Sequence, residues 1–410
     1  MSAIEQEGFS RRRFVSGAAG LAAGAGLMAG ATGCAPAAAA APRYVPFEGS
    51  NQTGITALPV PTRGLSAAFS VQSSDRAGLA AMFQALSDEA RAVMSGEPPR
   101  TRDAAYPPMD SGILGAEPPA DDLSVVVGVG ASLFDDRFGL ADRKPRELVE
   151  MPFLANDRLK PEQSHGDLLL TIEANHADTV QFALRQLMRR TRGDLVLKWI
   201  VEGYGRGAGS GTATPRNLLG FKDGTANPHM DDEELMRELV WVGPDDGEPA
   251  WAVGGSYQVM RIIRMFVEFW DRTPLAEQES IFGRSKLSGA PLGLDGEFDV
   301  PDYTEDPEGK IIALDAHIRL ANPRTPQTEQ NRILRRGFSY TRGFDGAGRL
   351  DQGLAFISYQ RSLQKGFLTV QERISGERLE EYVQAQGGGF FFALPGVQGP
   401  DRFLGDMLVT

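Results

Sequence analysis

Three side chains of different chemistry stand out by type and setting. Asp223 sits in Gly220-Phe221-Lys222-Asp223-Gly224-Thr225-Ala226-Asn227-Pro228, a loop with glycine on both sides and an Asn-Pro turn signal at its end. Glycines let the backbone approach a ligand closely and adopt angles that other residues resist. The loop can therefore present a single carboxylate as a proton shuttle. Asp-Gly is also an ordinary turn dipeptide, so the loop alone decides nothing. Two later residues give it weight. His317 lies in Asp315-Ala316-His317-Ile318-Arg319-Leu320-Ala321-Asn322-Pro323-Arg324, and Arg335 in Leu334-Arg335-Arg336-Gly337-Phe338. A guanidinium stays charged at any relevant pH and can stabilise charge building on an oxygen in a dry pocket. The other histidines are His165, His176 and His229. None of the four has a second His or Cys at metal-ligand spacing, which argues against a zinc site.

This ordered set resembles the dye-decolourising (DyP-type) haem peroxidases, and in particular their exported branch, whose members are also called deferrochelatases. The resemblance runs from about Gly54 to the C-terminus and is strongest over Asn217–Pro228, Asp315–Tyr340 and Gly353–Pro395. The last stretch carries Ile357-Ser358-Tyr359-Gln360, Lys365-Gly366-Phe367-Leu368-Thr369-Val370-Gln371 and Gly387-Gly388-Gly389-Phe390-Phe391-Phe392-Ala393-Leu394-Pro395.

The resemblance implies a haem b cofactor with His317 as the one axial imidazole that haem iron needs. It makes Asp223 the acid/base that takes a peroxide proton and returns it to the leaving oxygen. Arg335, chosen over Arg336 by motif position, becomes the fixed cation. Arg284, in Ile281-Phe282-Gly283-Arg284-Ser285-Lys286, is similar to the family's haem-propionate partner, a role that suits a bidentate guanidinium. Gly224 belongs to the cofactor contact. Leu354 and Phe356 alternate on a strand and so share a face; they form either an apolar wall over the cofactor or ordinary core. Gly337 stands where some family members carry a distal Asn. A proximal histidine usually donates its other N–H to an acid, for which Asp315, Glu380 and Asp401 are candidates.

The implied reaction uses hydrogen peroxide to oxidise bulky organic donors such as dyes and phenolics, or ferrous iron. The alternative is a haem-binding iron-uptake protein that releases iron from haem. An aspartate base, intrinsically more acidic than histidine, points to an optimum near about pH 4 to 5. Electrons from large donors would leave through surface aromatics such as Tyr257, Tyr340, Tyr359, Trp251 or Trp270, although packing is the safer reading for each. The resemblance also admits iron-uptake membrane components and a homo-oligomer as partners.

The chain has 410 residues, 41% of them hydrophobic, and a formal net charge of -12. That length buries a large core, and a mean hydropathy of -0.25 argues against a polytopic membrane protein. The acidic balance with no basic patch excludes nucleic acid as a partner. Ser10-Arg11-Arg12-Arg13-Phe14-Val15 followed by an uncharged stretch to Pro36 is a twin-arginine export pattern. It places the mature chain in the periplasm or at the cell surface. Internal disulfides are ruled out, because Cys34 is the only cysteine. Cys34 closes Ala31-Thr32-Gly33-Cys34, which reads equally as a lipoprotein processing site and as chance.

Around these residues the hydrophobic pattern changes period in a repeated order. Residues 1–45 are signal and Ala-rich tether. In residues 55–210, strands are expected at Leu65–Val71, Asp122–Val129, Asp167–Glu173 and Leu195–Ile200. Helices follow the 3.6-residue period through Leu79, Met82, Phe83, Leu86, Ala90 and Val93, and over Ala177–Arg190. Residues 211–410 offer strands at Tyr257–Val267 and Leu354–Tyr359, with helices at Pro274–Phe282 and around Gly376–Gln384. Strand-helix-strand-strand-helix-strand order is ferredoxin-like. The predicted fold class is α+β, with two tandem ferredoxin-like units forming one DyP-type, barrel-like body and the haem site in the second. Gly203–Thr212 has no Lys-Ser/Thr opening a helix after it and is expected to be a connector rather than a phosphate cradle.

Overall fold

The computed structural model describes residues 43–206 and 214–410. The twin-arginine segment, Cys34, the Ala-rich tether and the middle of the glycine-rich connector lie outside the described residues.

The N-terminal half runs β1 (Arg63–Val71), α1 (Arg76–Ser95), β2 (Ser124–Gly130), β3 (Leu168–Ala174), α2 (Ala177–Arg190) and β4 (Leu195–Tyr204). The C-terminal half runs α3 (Glu233–Leu239), β5 (Ser256–Met265), α4 (Val267–Trp270), α5 (Leu275–Phe282), α6 (His317–Ala321), β6 (Leu334–Arg335), β7 (Phe338–Phe344), β8 (Leu350–Gln360), α7 (Thr369–Ile374), β9 (Val383–Ala393) and α8 (Asp406–Val409).

All strands belong to one antiparallel sheet in the order β5-β9-β2-β3-β1-β4-β7-β8-β6, and an additional β5–β8 pairing closes it. β6 is a two-residue piece beside β8, just ahead of β7. The ring consists of two ferredoxin-like quartets. β4-β1-β3-β2 is one, and β9-β5-β8-β7 is the other, joined by β2–β9 and β4–β7 pairings. The quartets meet over short stretches, one residue pair between β4 and β7 and three between β2 and β9.

Side-chain alternation separates three cores. Inside the barrel lie Ala68, Val126, Leu169, Val201, Met260, Ile262, Leu334, Ile357, Tyr359 and Phe391. On the outer face of the N-terminal quartet, α1 and α2 seat Leu79, Phe83, Leu86, Val180 and Leu187 directly on β-strand residues such as Phe69, Val127 and Leu170. On the C-terminal quartet a smaller cluster forms around Leu219, Phe221, Trp270, Phe282 and Tyr382. Beside it the helices stand off from the sheet, and a cavity fills the gap.

Two expectations in the C-terminal half need correction. The helix expected around Gly376–Gln384 is a short 3-10 turn at Arg378–Glu381 that leads into β9. The helical turns lie earlier, as a π turn at Gln364–Leu368 continuing into α7. The glycine run explains the strand. A Cβ on Gly388 (φ +114) would collide with the Met260 carbonyl, and one on Gly387 with the Gln163 carbonyl. Here glycine serves close strand approach rather than a loop. The aromatics proposed as surface exits are all buried: Tyr257, Tyr340, Tyr359 and Trp270 are at most 1% exposed and Trp251 4%. They are core residues, and none can meet a donor in solvent.

Candidate active site

The cavity on the outer face of the C-terminal quartet has a volume of about 310 Å³. Asp223, Gly224, Arg284, His317, Arg335, Leu354 and Phe356 all line it, so residues spread over more than a hundred positions converge on one space.

Asp223 is fixed by its loop. Its N–H donates to the Pro215 carbonyl at 2.8 Å. The Asn217 side chain accepts from the N–H groups of Leu219 and Phe221. Phe221 stacks on Phe282 with ring centroids 4.0 Å apart. Lys222 pairs with Glu297, which also accepts from Thr225 Oγ1 at 3.0 Å. Lys222 and Thr225, on either side of Asp223 and Gly224, are thus tied to the strand-less stretch after α5. Gly224, at φ +117, occupies a conformation that a side chain would resist.

Arg335 pairs with Asp223 through Nη1 and Oδ1. The two are about a quarter to a third exposed, so this contact is open to the cavity rather than sealed in core. Strand alternation separates Arg335 from Arg336. Leu334 and Phe338 point into the barrel, and so does Arg336, which donates Nε to Glu173 at 2.8 Å. Arg335, one residue earlier, points outward to the cavity. Its main chain is held by Asn227, whose Oδ1 accepts from the Arg335 N–H at 2.8 Å and whose Nδ2 donates to the Arg335 carbonyl at 2.8 Å. Gly337 has no room for a side chain, since a Cβ there would sit 2.8 Å from the Ala355 carbonyl. Gly337→Asn is therefore expected to destabilise the protein by about 1–3 kcal/mol through overpacking against backbone, seen as a lowered Tm.

His317 opens α6, and its Nδ1 lies 2.9 Å from both Glu377 carboxylate oxygens. Glu377 is 6% exposed and is the acid partner that Asp315, Glu380 and Asp401 were candidates for. Asp315 instead pairs with Arg378. Burial opposes protonation of His317, but the Glu377 carboxylate outweighs it. Arg335 then subtracts and Asp223 adds, so the pKa stands above the ordinary histidine value. Those last two contributions place Asp223 and Arg335 within electrostatic reach of His317. With Nδ1 taken, Nε2 is the ring nitrogen left for a ligand.

Arg284 is 6% exposed and donates Nη1 to the carbonyls of Gly289 (2.6 Å) and Glu297 (3.0 Å). Among the described residues it has no carboxylate partner. Burial, then the nearby charge of Arg324, lowers its pKa from the usual guanidinium value. Arg324 also lines the cavity, holds φ +57, and leaves its buried Nε without a hydrogen bond. A further buried pair, Arg261 with Asp157, lines the same space; both residues are 4% exposed. Two guanidinium groups without counterions among the described residues, beside an apolar lining of Leu354, Phe356, Phe282 and Ile318, fit a ligand with a flat apolar body and carboxylate arms.

The chain matches the family models described as Dyp-type peroxidase, N-terminal, over residues 52–205 and Dyp-type peroxidase, C-terminal, over residues 214–398. It is 49% identical over 408 residues to a deferrochelatase of Shigella flexneri serotype 5b, covering 98% of this chain and 97% of that one. It is 51% identical over 368 residues to the deferrochelatase of Escherichia coli strain K12, covering 89% and 87%. Among solved structures, ferric DtpA from Streptomyces lividans superposes with a TM-score of 0.81 at 32% identity, over 92% of this chain and all of that one. A DyP-type peroxidase from Cellulomonas bogoriensis gives 0.79 at 31%, over 89% and 98%.

Proposed function

The chain belongs to the Dyp-type peroxidase family and is a haem peroxidase, and from that premise we propose how its own side chains serve the reaction. The observation that carries the proposal is the convergence on one cavity of a His317–Glu377 pair and an Asp223–Arg335 pair.

His317 would supply Nε2 to the iron, while Glu377 accepts from Nδ1–H, which would fix the tautomer and strengthen the imidazole as a ligand. Arg284 and Arg324 would hold the propionates. Leu354 and Phe356 keep water from the reacting face. The haem supplies the iron at which peroxide is reduced and the oxidising equivalents later drawn by donors. With haem bound, Asp223 would accept a proton from one peroxide oxygen and return it to the oxygen that departs as water. Arg335 holds a positive charge where negative charge builds on that leaving oxygen. Its contact with Asp223 also keeps the carboxylate aimed into the cavity.

The reading extends to haem b as the cofactor, to bulky organic molecules or ferrous iron as donors, and to action outside the cytoplasm after twin-arginine export. It is tested by supplying the haem-loaded chain with hydrogen peroxide and a bulky phenolic dye. Peroxide-dependent dye oxidation that is lost in Asp223→Asn is expected. The relatives named deferrochelatases motivate a second reading, release of iron from haem with the porphyrin left whole. Porphyrin fluorescence appearing without dye oxidation would favour it.

Glu377→Gln is expected to keep haem but weaken the imidazole's donation. The ferric/ferrous potential should rise, and the peroxide rate should fall by about tenfold to a hundredfold, the usual scale for losing such a partner. Spectroelectrochemistry and stopped-flow mixing measure the two effects.

A further inference from the structure

We infer that Arg336 and Glu173 are positioning residues for Arg335, so that the N-terminal half sets the direction of the distal cation from inside the barrel. The inference rests on the role proposed above for Arg335.

Glu173 lies on β3 of the N-terminal quartet and Arg336 between β6 and β7 of the C-terminal one, yet the two meet inside the barrel. The Arg336 Nε donates to both Glu173 oxygens, at 3.0 and 2.8 Å. They are 3% and 2% exposed. Arg336 Nη1 also donates to the Ala57 carbonyl at 2.9 Å, in the segment that precedes β1. Burial raises the Glu173 pKa, and the guanidinium works against that rise.

A buried ion pair is weak evidence for stability, since an apolar pair of the same size often does as well. Its position gives it another use. Arg335 and Arg336 are consecutive on an extended chain, so fixing the inward side chain fixes the plane from which the outward one projects. The stretch needs such help, because β6 is only two residues long and a break precedes β7. Its other anchors are the pairing of Leu334 and Arg335 with Tyr359 and Ser358 of β8, the N–H of Arg336 on the Ile357 carbonyl at 2.8 Å and the Asn227 side chain on Arg335, all within the C-terminal half. The Arg336 guanidinium, tied to Glu173 and Ala57, is the side-chain anchor that connects this stretch to the other half of the barrel.

The test is a double-mutant cycle on the haem-loaded full chain. The pair is replaced together by Arg336→Met with Glu173→Gln, so that no buried charge is stranded, in the wild-type and in the Arg335→Leu background. The pair replacement should leave haem bound and slow the reaction with hydrogen peroxide by about a hundredfold, the scale of a misplacement near 1 Å. In the Arg335→Leu background the same replacement should change the rate by less than about twofold, because residues acting through one another are not additive. Equal losses in both backgrounds, or no loss in the wild type while Arg335→Leu is itself slow, would overturn the inference. If the pair variant does not fold, Arg336→Lys keeps the charge but not the two-oxygen contact and enters the same cycle. A crystal structure of the variant gives an independent readout. Arg335 turned away from Asp223 supports the positioning role even if Arg335→Leu proves kinetically silent, whereas Arg335 unmoved contradicts it.

Discussion

Arg335→Leu and Asp223→Asn are each expected to retain haem and lose most of the reaction with hydrogen peroxide. Removing a fixed donor from a developing oxyanion costs about 10²–10³ in rate, and removing a positioned acid/base costs about 10²–10⁴. Neither residue touches the His317–Glu377 side of the cavity through a hydrogen bond, so binding of the cofactor should be preserved. The two side chains are in direct contact, and residues that act as a unit do not contribute additively. The double variant should therefore be little slower than the slower single variant. Stopped-flow mixing with peroxide, followed in the visible spectrum, measures all three. A double loss equal to the product of the single losses would mean that the residues act separately.

His317→Ala should have its largest effect on the cofactor itself. It removes the only iron ligand proposed from the chain, and haem affinity should fall by more than the tenfold to hundredfold typical of losing a ligand's partner. It also strands Glu377, whose side chain is only 4% exposed. An unpartnered buried carboxylate costs about 3–5 kcal/mol unless it takes up a proton, so the haem-free variant should melt at lower temperature. His317→Ala/Glu377→Gln removes the stranded charge and should recover stability without recovering haem. Haem titration followed by thermal melting of the same samples separates the two effects.

The parts legible in the sequence were those with local signatures. The glycines around Asp223, the 3.6-residue period of α1 and α2, and the β-rich runs of the N-terminal half all announce themselves within a few positions. The choice of Arg335 over Arg336 came from motif position, and the structure supplies its physical reason in the alternation between Leu334 inside and Arg335 outside. What was not legible depends on contacts far along the chain. Glu377 lies sixty residues beyond His317 in Ser375-Gly376-Glu377, with nothing nearby to mark it as the partner. Arg324 needs a left-handed backbone that no local pattern requires of an arginine. Asn227 read as a turn signal, whereas its side chain pairs with the main chain of Arg335 like a neighbouring strand. β9 was obscured because Gly387, Gly388 and Gly389 resemble a breaker until the closeness of Met260 and Gln163 is known. For the large aromatics packing is the safer reading from sequence, and their burial agrees with it, leaving no surface exit among the five.

The most direct test of the central claim is the visible spectrum of the haem-loaded protein before and after one equivalent of hydrogen peroxide, beside His317→Ala and Arg335→Leu. The account predicts a histidine-ligated ferric spectrum that changes rapidly on adding peroxide. That spectrum should be absent in His317→Ala, and present but slow to respond in Arg335→Leu. A ferric spectrum that ignores peroxide in the wild type, or one that is the same in His317→Ala, would contradict it.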